Sequence, residues 1–136
     1  MFTREEDMYP VIKSWLKGSG HVVRSEVCKC DIVSEKNGLH TIYEMKLKFG
    51  LDVIYQALER MTSSSHVYIV VPIPEGTIAR KNWDKNFKGA EKLCRRLGVG
   101  LIVIYPNDIV SCVVEAEDVW FPRKSPKKHK RLVSEF

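Results

Sequence analysis

The sequence predicts one α/β domain in which helices flank a central mixed sheet. Short apolar runs with strand character alternate with segments whose apolar residues recur at helical spacing. The length of 136 residues fits one domain, and a hydrophobic content of 44% is enough for a single buried core. The predicted order is helix, three strands, helix, strand, helix and two strands.

The first predicted helix covers about residues 3–17. Its apolar face has the spacing i, i+3, i+4, i+7 and i+8, given by Met8, Val11, Ile12, Trp15 and Leu16. Gly18 and Gly20 end it, because glycine commonly terminates helices. Pro10 lies inside this span, so it either kinks the helix or marks the true first turn.

Three strands are predicted next, at about residues 21–27, 29–34 and 40–47. The turn Lys36-Asn37-Gly38 lies between the last two, and Asn-Gly between apolar runs is a strong hairpin signal. We therefore expect the second and third strands to be antiparallel neighbours.

The rest of the chain alternates between helix and strand. Residues 66–72 form a continuous β-branched and aromatic run, which is typical of a strand buried on both faces. The other predicted elements are helices at about 51–61 and 83–97 and strands at about 101–105 and 109–115. Gly98 ends the longer helix.

The net charge of +5 comes from the C-terminal segment, residues 122–136. Without its six basic residues the chain has 16 basic and 17 acidic residues, a balance of −1. The segment is either a solvated tail or an arm that contacts phosphates. Apolar Leu132, Val133 and Phe136 suggest that its end docks on the body. The six basic residues are Arg123, Lys124, Lys127, Lys128, Lys130 and Arg131.

Two further patterns limit the class of protein. The N-terminus lacks a basic region followed by an apolar stretch, and no apolar run approaches the roughly 18 residues of a membrane span. We therefore expect a cytoplasmic protein without membrane contact. Its four cysteines are then expected to be reduced, and the spacing of Cys28 and Cys30 is not that of a zinc knuckle.

The most informative residues are Asp31, Glu44 and Lys46. Side chains two apart on a strand share a face, so Glu44 and Lys46 are predicted to lie together. If the strand with Asp31 is the antiparallel neighbour, two carboxylates and one lysine converge. This is the minimum set for holding a divalent cation against a phosphate. Glu-x-Lys alone is also typical of a solvated strand face, so the prediction depends on Asp31 and the hairpin.

This arrangement resembles the PD-(D/E)XK nuclease superfamily, and within it the small PD-(D/E)XK phosphodiesterases. The resemblance covers nearly the whole chain, through residues 30–33, 43–47, Leu51 with Gln56-Ala57 and Arg60, 67–72 and 93–101. It implies a nuclease-like domain over residues 1–121, with a restriction-endonuclease-like αβββαβ core, an added C-terminal helix and strands, and a basic tail at 122–136. Cys30 stands where the family has its name-giving proline.

The resemblance also implies a reaction. Mg²⁺, with Mn²⁺ as substitute, would be held by Asp31, Glu44 and the carbonyl of Met45. Lys46 would orient the attacking water and offset the charge that grows on the phosphate. Gln56 would contact Lys46 or substrate, and Arg60 would contact a phosphate.

Some assignments keep an alternative. Glu6 is either an additional site acid or part of a capping box that begins at Thr3. Glu26 is either another acid of the site or an exposed strand residue, and Gln56 is either a site residue or one position of a solvent-facing helix.

The predicted function is hydrolysis of nucleic acid, with DNA as the expected partner, by a metal-dependent nuclease or phosphodiesterase. The alternative is a non-catalytic nucleic-acid-binding or regulatory module on the same fold. A homodimer is compatible with either function.

Overall fold

The computed structural model describes residues 2–64, 66–117 and 125–136. A 3₁₀ turn at Glu5–Met8 leads into the first helix. The elements that follow are α1 (Tyr9–Gly18), β1 (Val22–Val27), β2 (Cys30–Lys36), β3 (Leu39–Met45), α2 (Leu51–Arg60), β4 (Val67–Pro72), α3 (Thr77–Leu97), β5 (Gly100–Tyr105), a 3₁₀ turn at Pro106–Asp108, β6 (Ile109–Val114) and α4 (Pro126–Glu135).

The six strands form one mixed sheet in the order of the chain. Strands β3, β4 and β5 are parallel, and the remaining neighbours are antiparallel. One face of the sheet packs on α1, and the other packs on α2, α3 and α4. The predicted α/β class, with a mixed sheet flanked by helices, is therefore confirmed.

The hairpin between β2 and β3 has the predicted two-residue turn. Lys36 pairs with Leu39, and the intervening Asn37 and Gly38 have φ of 54° and 82°. Positive φ at both central residues is the type I′ geometry that matches strand twist, and Asn-Gly tolerates it best. This turn sets the register of β2 against β3.

The N-terminal helix is shorter than predicted. The expected helix at 3–17 is divided into the 3₁₀ turn and α1, and Pro10 lies in the first turn of α1. Because proline lacks an N–H, it is tolerated where no intrahelical bond is needed. Pro10 therefore marks the true first turn, the second of the two alternatives. Met8, Ile12 and Leu16 are buried against the sheet, as their spacing predicts.

Helix α3 begins earlier than predicted, at Thr77 instead of about residue 83. The added turn contains one large apolar residue, Ile78, which is 78% exposed. The spacing of apolar residues could not predict this helical turn, because the turn is not buried against the sheet. At the other end, Gly98 has φ of 76° and caps the helix as expected.

The basic C-terminal segment contains a helix that the sequence pattern did not predict. Ser125 caps α4 by accepting a hydrogen bond from the N–H of Lys128 at 3.3 Å, and Pro126 occupies the first turn. Leu132 is fully buried in the core, and the ring of Phe136 meets His40 edge to face at 5.0 Å. The expected docking of the C-terminal end is confirmed. The predicted boundary at residue 121 lies outside the described residues.

Within the described ranges, no helix combines the length and apolarity needed to cross a membrane.

Leu132 provides a test of how α4 is held. We expect Leu132→Ala to lower the free energy of unfolding by about 2–5 kcal/mol, because it removes buried methyl groups and leaves a cavity. Val133→Ala on the same helix is the matched control, since Val133 is 41% exposed and its truncation should change stability by less than about 0.5 kcal/mol. Urea unfolding measures both. Equal effects of the two substitutions would contradict the docking of α4 through Leu132.

Candidate active site

The β2–β3 register brings Asp31 and Glu44 together. Ile32 pairs with Tyr43, so the preceding residue of β2 lies beside the following residue of β3. The N–H of Asp31 donates to Oε2 of Glu44 at 3.4 Å, and the N–H of Met45 donates to Oδ2 of Asp31 at 2.8 Å. Each carboxylate is thus bound to the backbone of the neighbouring strand. The predicted convergence of these two acids is present in the fold.

Glu44 is buried and paired with an arginine. Its exposed fraction is 2%, and Nε of Arg60 donates to its Oε1. A second guanidinium nitrogen of Arg60 donates to the carbonyl of Lys29 at 3.0 Å. Arg60 thus connects α2 to β3 through this carboxylate and to the β1–β2 turn through the carbonyl of Lys29. Its predicted contact with a phosphate stays a prediction. The pairing of Arg60 with Glu44 was not predicted from the sequence, because it joins two different elements, α2 and β3.

Burial changes the acidity of Glu44. Loss of water raises the pKa of Glu44, and the nearby charge of Asp31 adds to this effect. The guanidinium of Arg60 acts in the opposite direction but does not compensate, so the pKa of Glu44 lies at about 7. A carboxyl with this pKa can bind or release a proton near neutral pH.

Lys46 lies just beyond β3 and turns to other acids. Its Nζ is 3.1 Å from Oδ2 of Asp52, in the first turn of α2, and 3.7 Å from Oε2 of Glu5. The hydrogen bond to Asp52 raises the pKa of Lys46, with the charge of Glu5 contributing. Sequence reasoning missed both partners. The one local signal was an acid at the start of the helix that follows Lys46.

A cavity of about 440 Å³ opens beside Asp31 and Glu5. Its wall includes Asp31 and Met45 from the strands and Glu5 and Glu6 from the N-terminal turn. Glu26 also lines it, with φ of 55°, a left-handed conformation that is uncommon for a residue with a Cβ. Glu26 is exposed and also borders the cavity. Both alternatives, an acid of the site and an exposed strand residue, therefore stay open.

The capping box at the N-terminus does not use Glu6. Asp7 accepts hydrogen bonds from the N–H of Arg4 at 3.1 Å and from the hydroxyl of Thr3 at 3.2 Å. Glu6 instead pairs with the guanidinium of Arg4 at 2.7 Å. The predicted capping role of Glu6 is wrong, because the turn begins one residue later than assumed. Its place on the cavity wall leaves the site role as a prediction.

Gln56 is exposed on α2, one turn before Arg60. Among the described residues it forms no hydrogen bond with Lys46. Its predicted contact with substrate stays a prediction.

The six basic residues of the C-terminal segment fall into three pairs. Lys128 lies 3.1 Å from Glu59, and Arg131 lies 2.7 Å from Glu135. Lys127 and Lys130 are exposed. The other two, Arg123 and Lys124, lie outside the described residues.

The donor set fits a hard divalent cation. Asp31 and Glu44 offer carboxylate oxygens on adjacent strands, and Mg²⁺ is usually held by one or two carboxylates with water completing its shell. No group of three or more acidic, histidine or cysteine side chains is arranged for a metal within the described residues. Such a group is not required for Mg²⁺. Burial raises the pKa of the Cys30 thiol to about 12.

Comparisons with known proteins add no relationship to this geometry. A scan against protein-family models finds no match, and a search of curated proteins finds none either. The resemblance to PD-(D/E)XK nucleases therefore rests on the residues of this chain alone.

The raised pKa of Glu44 predicts a pH dependence of stability. Between its ordinary value of 4.5 and about 7, Glu44 binds more proton in the folded than in the unfolded state. Stability should therefore fall as pH rises through this window, by at most about 1.4 kcal/mol per pH unit. Glu44→Gln should remove this component of the slope, which urea unfolding in EDTA between pH 4.5 and 8 would measure.

Glu117→Gln is the matched control for this experiment, because Glu117 is an exposed carboxyl outside the site. This variant should keep the wild-type slope of stability against pH. An identical slope in the wild type and Glu44→Gln would contradict the raised pKa.

Proposed function

We propose that the protein is a metal-dependent phosphodiesterase of the PD-(D/E)XK type that hydrolyses nucleic acid, with DNA as the first substrate to test. The observation that carries this proposal is the pair of carboxylates, Asp31 and Glu44, held on adjacent strands with Lys46 just beyond the end of β3. The element order from α1 to β4 supports a restriction-endonuclease-like αβββαβ core.

Asp31, Glu44 and the carbonyl of Met45 would hold Mg²⁺ or Mn²⁺. When bound, such an ion polarises a phosphoryl oxygen and lowers the pKa of a coordinated water. Glu44 must be ionised to bind it. With its pKa at about 7, this carboxyl gains its charge at neutral pH and above.

Lys46 supplies positive charge next to the phosphate. Its ammonium is kept protonated by Asp52 and Glu5, whose oxygens lie 3.1 and 3.7 Å away. A positioned ammonium stabilises charge that develops on the phosphate oxygens as water attacks. Asp52 acts as a positioning residue, because it connects Lys46 to the first turn of α2.

Arg60 has two states in this proposal. Its guanidinium neutralises Glu44 in the absence of metal, which limits the cost of a buried carboxylate. A cation held by Glu44 would compete with Arg60 for this carboxylate. The displaced guanidinium is then able to contact a substrate phosphate, the role predicted from sequence.

The same ion pair favours the second candidate function. If Arg60 stays on Glu44, Oε1 is bound to the guanidinium and Oε2 to the N–H of Asp31, and the carboxylate has a structural role. The protein would then be a non-catalytic nucleic-acid-binding or regulatory module. Cleavage assays separate the two candidates.

The catalytic proposal predicts cleavage that depends on both metal and Lys46. We expect the wild type to cut some nucleic acid in Mg²⁺ or Mn²⁺ and not in EDTA. Glu44→Gln and Lys46→Ala should each lower the rate by roughly 10²-fold or more, because they remove a metal ligand and a stabilising charge. Single-stranded, duplex, flap and four-way substrates would be screened by gel electrophoresis.

Lys17→Ala is the matched control, since Lys17 is an exposed lysine at the end of α1. Its cleavage rate should equal that of the wild type. Activity that survives EDTA, or that survives either site substitution in a folded variant, would refute the mechanism.

The basic face of α4 is expected to contribute affinity. Replacing Lys127 and Lys130 together by alanine should flatten the slope of log affinity against log salt by up to about 1.8 for duplex DNA, because each phosphate contact contributes about 0.9. Fluorescence anisotropy over a salt series measures the slope. A double Lys13 and Lys17 alanine variant on α1 removes the same charge from the other face of the sheet. Equal slopes in the two double variants would show that α4 has no special part in binding.

A further inference from the structure

A second cavity, of about 530 Å³, lies between α3 and the carboxyl ends of β4 and β5. The cavity forms because the apolar stripe of α3 extends beyond the part of the helix that packs on the sheet. Cys94, near the C-terminal end of this stripe, is fully buried. Trp83 and Phe87, two to three turns earlier, are half-buried and line the cavity.

The walls of this cleft are aromatic with a few amides. The rings of Trp83 and Phe87 stack with centroids 4.4 Å apart, and Phe49 and Tyr105 contribute two more rings. Asn82, Asn86 and Asn107 add amide groups that can donate and accept hydrogen bonds. A mostly apolar cavity of this size with a small number of polar groups is typical of a ligand site.

The cleft adjoins the candidate active site. Leu47, Lys48 and Phe49 line it, and they directly follow Lys46 in the chain. Phe2 also lines it, three residues before Glu5, which contacts Lys46. A molecule that occupies the cleft would therefore lie beside the group proposed to contact the scissile phosphate.

The chemistry of the walls selects the ligand. Stacked aromatic rings favour a planar π system, and amides favour one with a polar edge. Glu75 and Asp108 also line the cleft and repel phosphate, whereas Lys48 attracts it on the segment that follows Lys46. An uncharged nucleobase within the cleft, with its phosphate towards Lys46 and Lys48, satisfies all of these groups.

We infer that the cleft between α3 and the sheet binds an unpaired nucleobase of the substrate strand, an assignment that rests on the proposed function. Bases in a duplex are stacked on one another and have no exposed face for Trp83. The substrate is therefore a single strand, or a structure with an unpaired base, in preference to a continuous duplex.

Two variants test the cleft while preserving the fold. Trp83→Leu keeps apolar bulk on α3 but removes the stacking ring. Ala79→Trp fills the cleft, because Ala79 lines it and is exposed, so that no buried contact is lost. Tyr55→Leu is the matched control, since Tyr55 is a 64% exposed aromatic residue on α2. Thermal unfolding by circular dichroism verifies that each variant is folded.

Binding is measured in EDTA, so that cleavage does not interfere. A fluorescein-labelled single strand, a blunt duplex of the same sequence and free deoxyadenosine monophosphate as competitor are the probes. We expect the wild type to prefer the single strand, and Trp83→Leu and Ala79→Trp to weaken its binding roughly tenfold, the loss expected for one stacked base. Tyr55→Leu should bind as the wild type does.

Unchanged affinity in both cleft variants would overturn the inference, as would a wild type that prefers the duplex. Competition by the free mononucleotide at the same concentration as the strand would also overturn it, because the cleft would then be a mononucleotide site. Cleavage in Mg²⁺ reports on the proposed function separately. If the wild type cleaves in Mg²⁺ while Trp83→Leu and Ala79→Trp bind the single strand as tightly as it does, the phosphodiesterase proposal is supported and the cleft assignment is refuted. If the two cleft variants bind the single strand more weakly but neither the wild type nor any variant cleaves, base binding in the cleft is supported and the phosphodiesterase proposal is refuted.

Discussion

The register between β2 and β3 is the constraint on which the candidate site depends. The turn at Asn37 and Gly38 sets it, and at the other end of the pair the N–H groups of Asp31 and Met45 donate to the carboxylates of Glu44 and Asp31. A slip of one residue would turn every side chain of one strand to the opposite face. The two carboxylates would then separate. The apolar residues of the shifted strand would also leave the cores that they fill on the two sides of the sheet. Folding and site assembly are therefore enforced by the same pairing.

Burial of Glu44 is the main energetic cost in this arrangement. A buried ion pair is seldom a source of net stability, because two charges lose their water, and removing one partner is costly. Arg60 limits the cost and also fastens α2 to the turn between β1 and β2, through the carbonyl of Lys29. A hydrophobic pair could fill the same space. A buried carboxyl with its pKa near 7 is a feature that functional sites often have, and it is one reason for the role that we propose for Glu44.

The parallel strands β3, β4 and β5 place the candidate site and the cleft at one end of the sheet. Parallel strands all finish at the same edge, and the connections that leave them carry the groups that meet a ligand. Here those connections supply Lys46, then the residues that line the cleft, and then α3 with Trp83 and Phe87. Because α3 packs tightly only towards its C-terminal end, the fold leaves space where its aromatic residues face the sheet. One topological feature thus accounts for the position of the cleft, whose lining includes Leu47, the residue that follows Lys46.

The sequence by itself determined the six strands, the approximate places of α1, α2 and α3, the hairpin and the meeting of Asp31 with Glu44. These follow from periodicity and turn chemistry within a short stretch. Tertiary structure alone decided which partners the long side chains take. Arg60 reaches Glu44 from another element, and Lys46 turns to Asp52 and away from the carboxylate two residues before it. Tertiary structure also decided that the C-terminal end docks as a helix, α4, and it formed the cleft beneath α3. Spacing reports which face a residue occupies, whereas the position of an ammonium or guanidinium depends on which charges the packed elements bring within its reach.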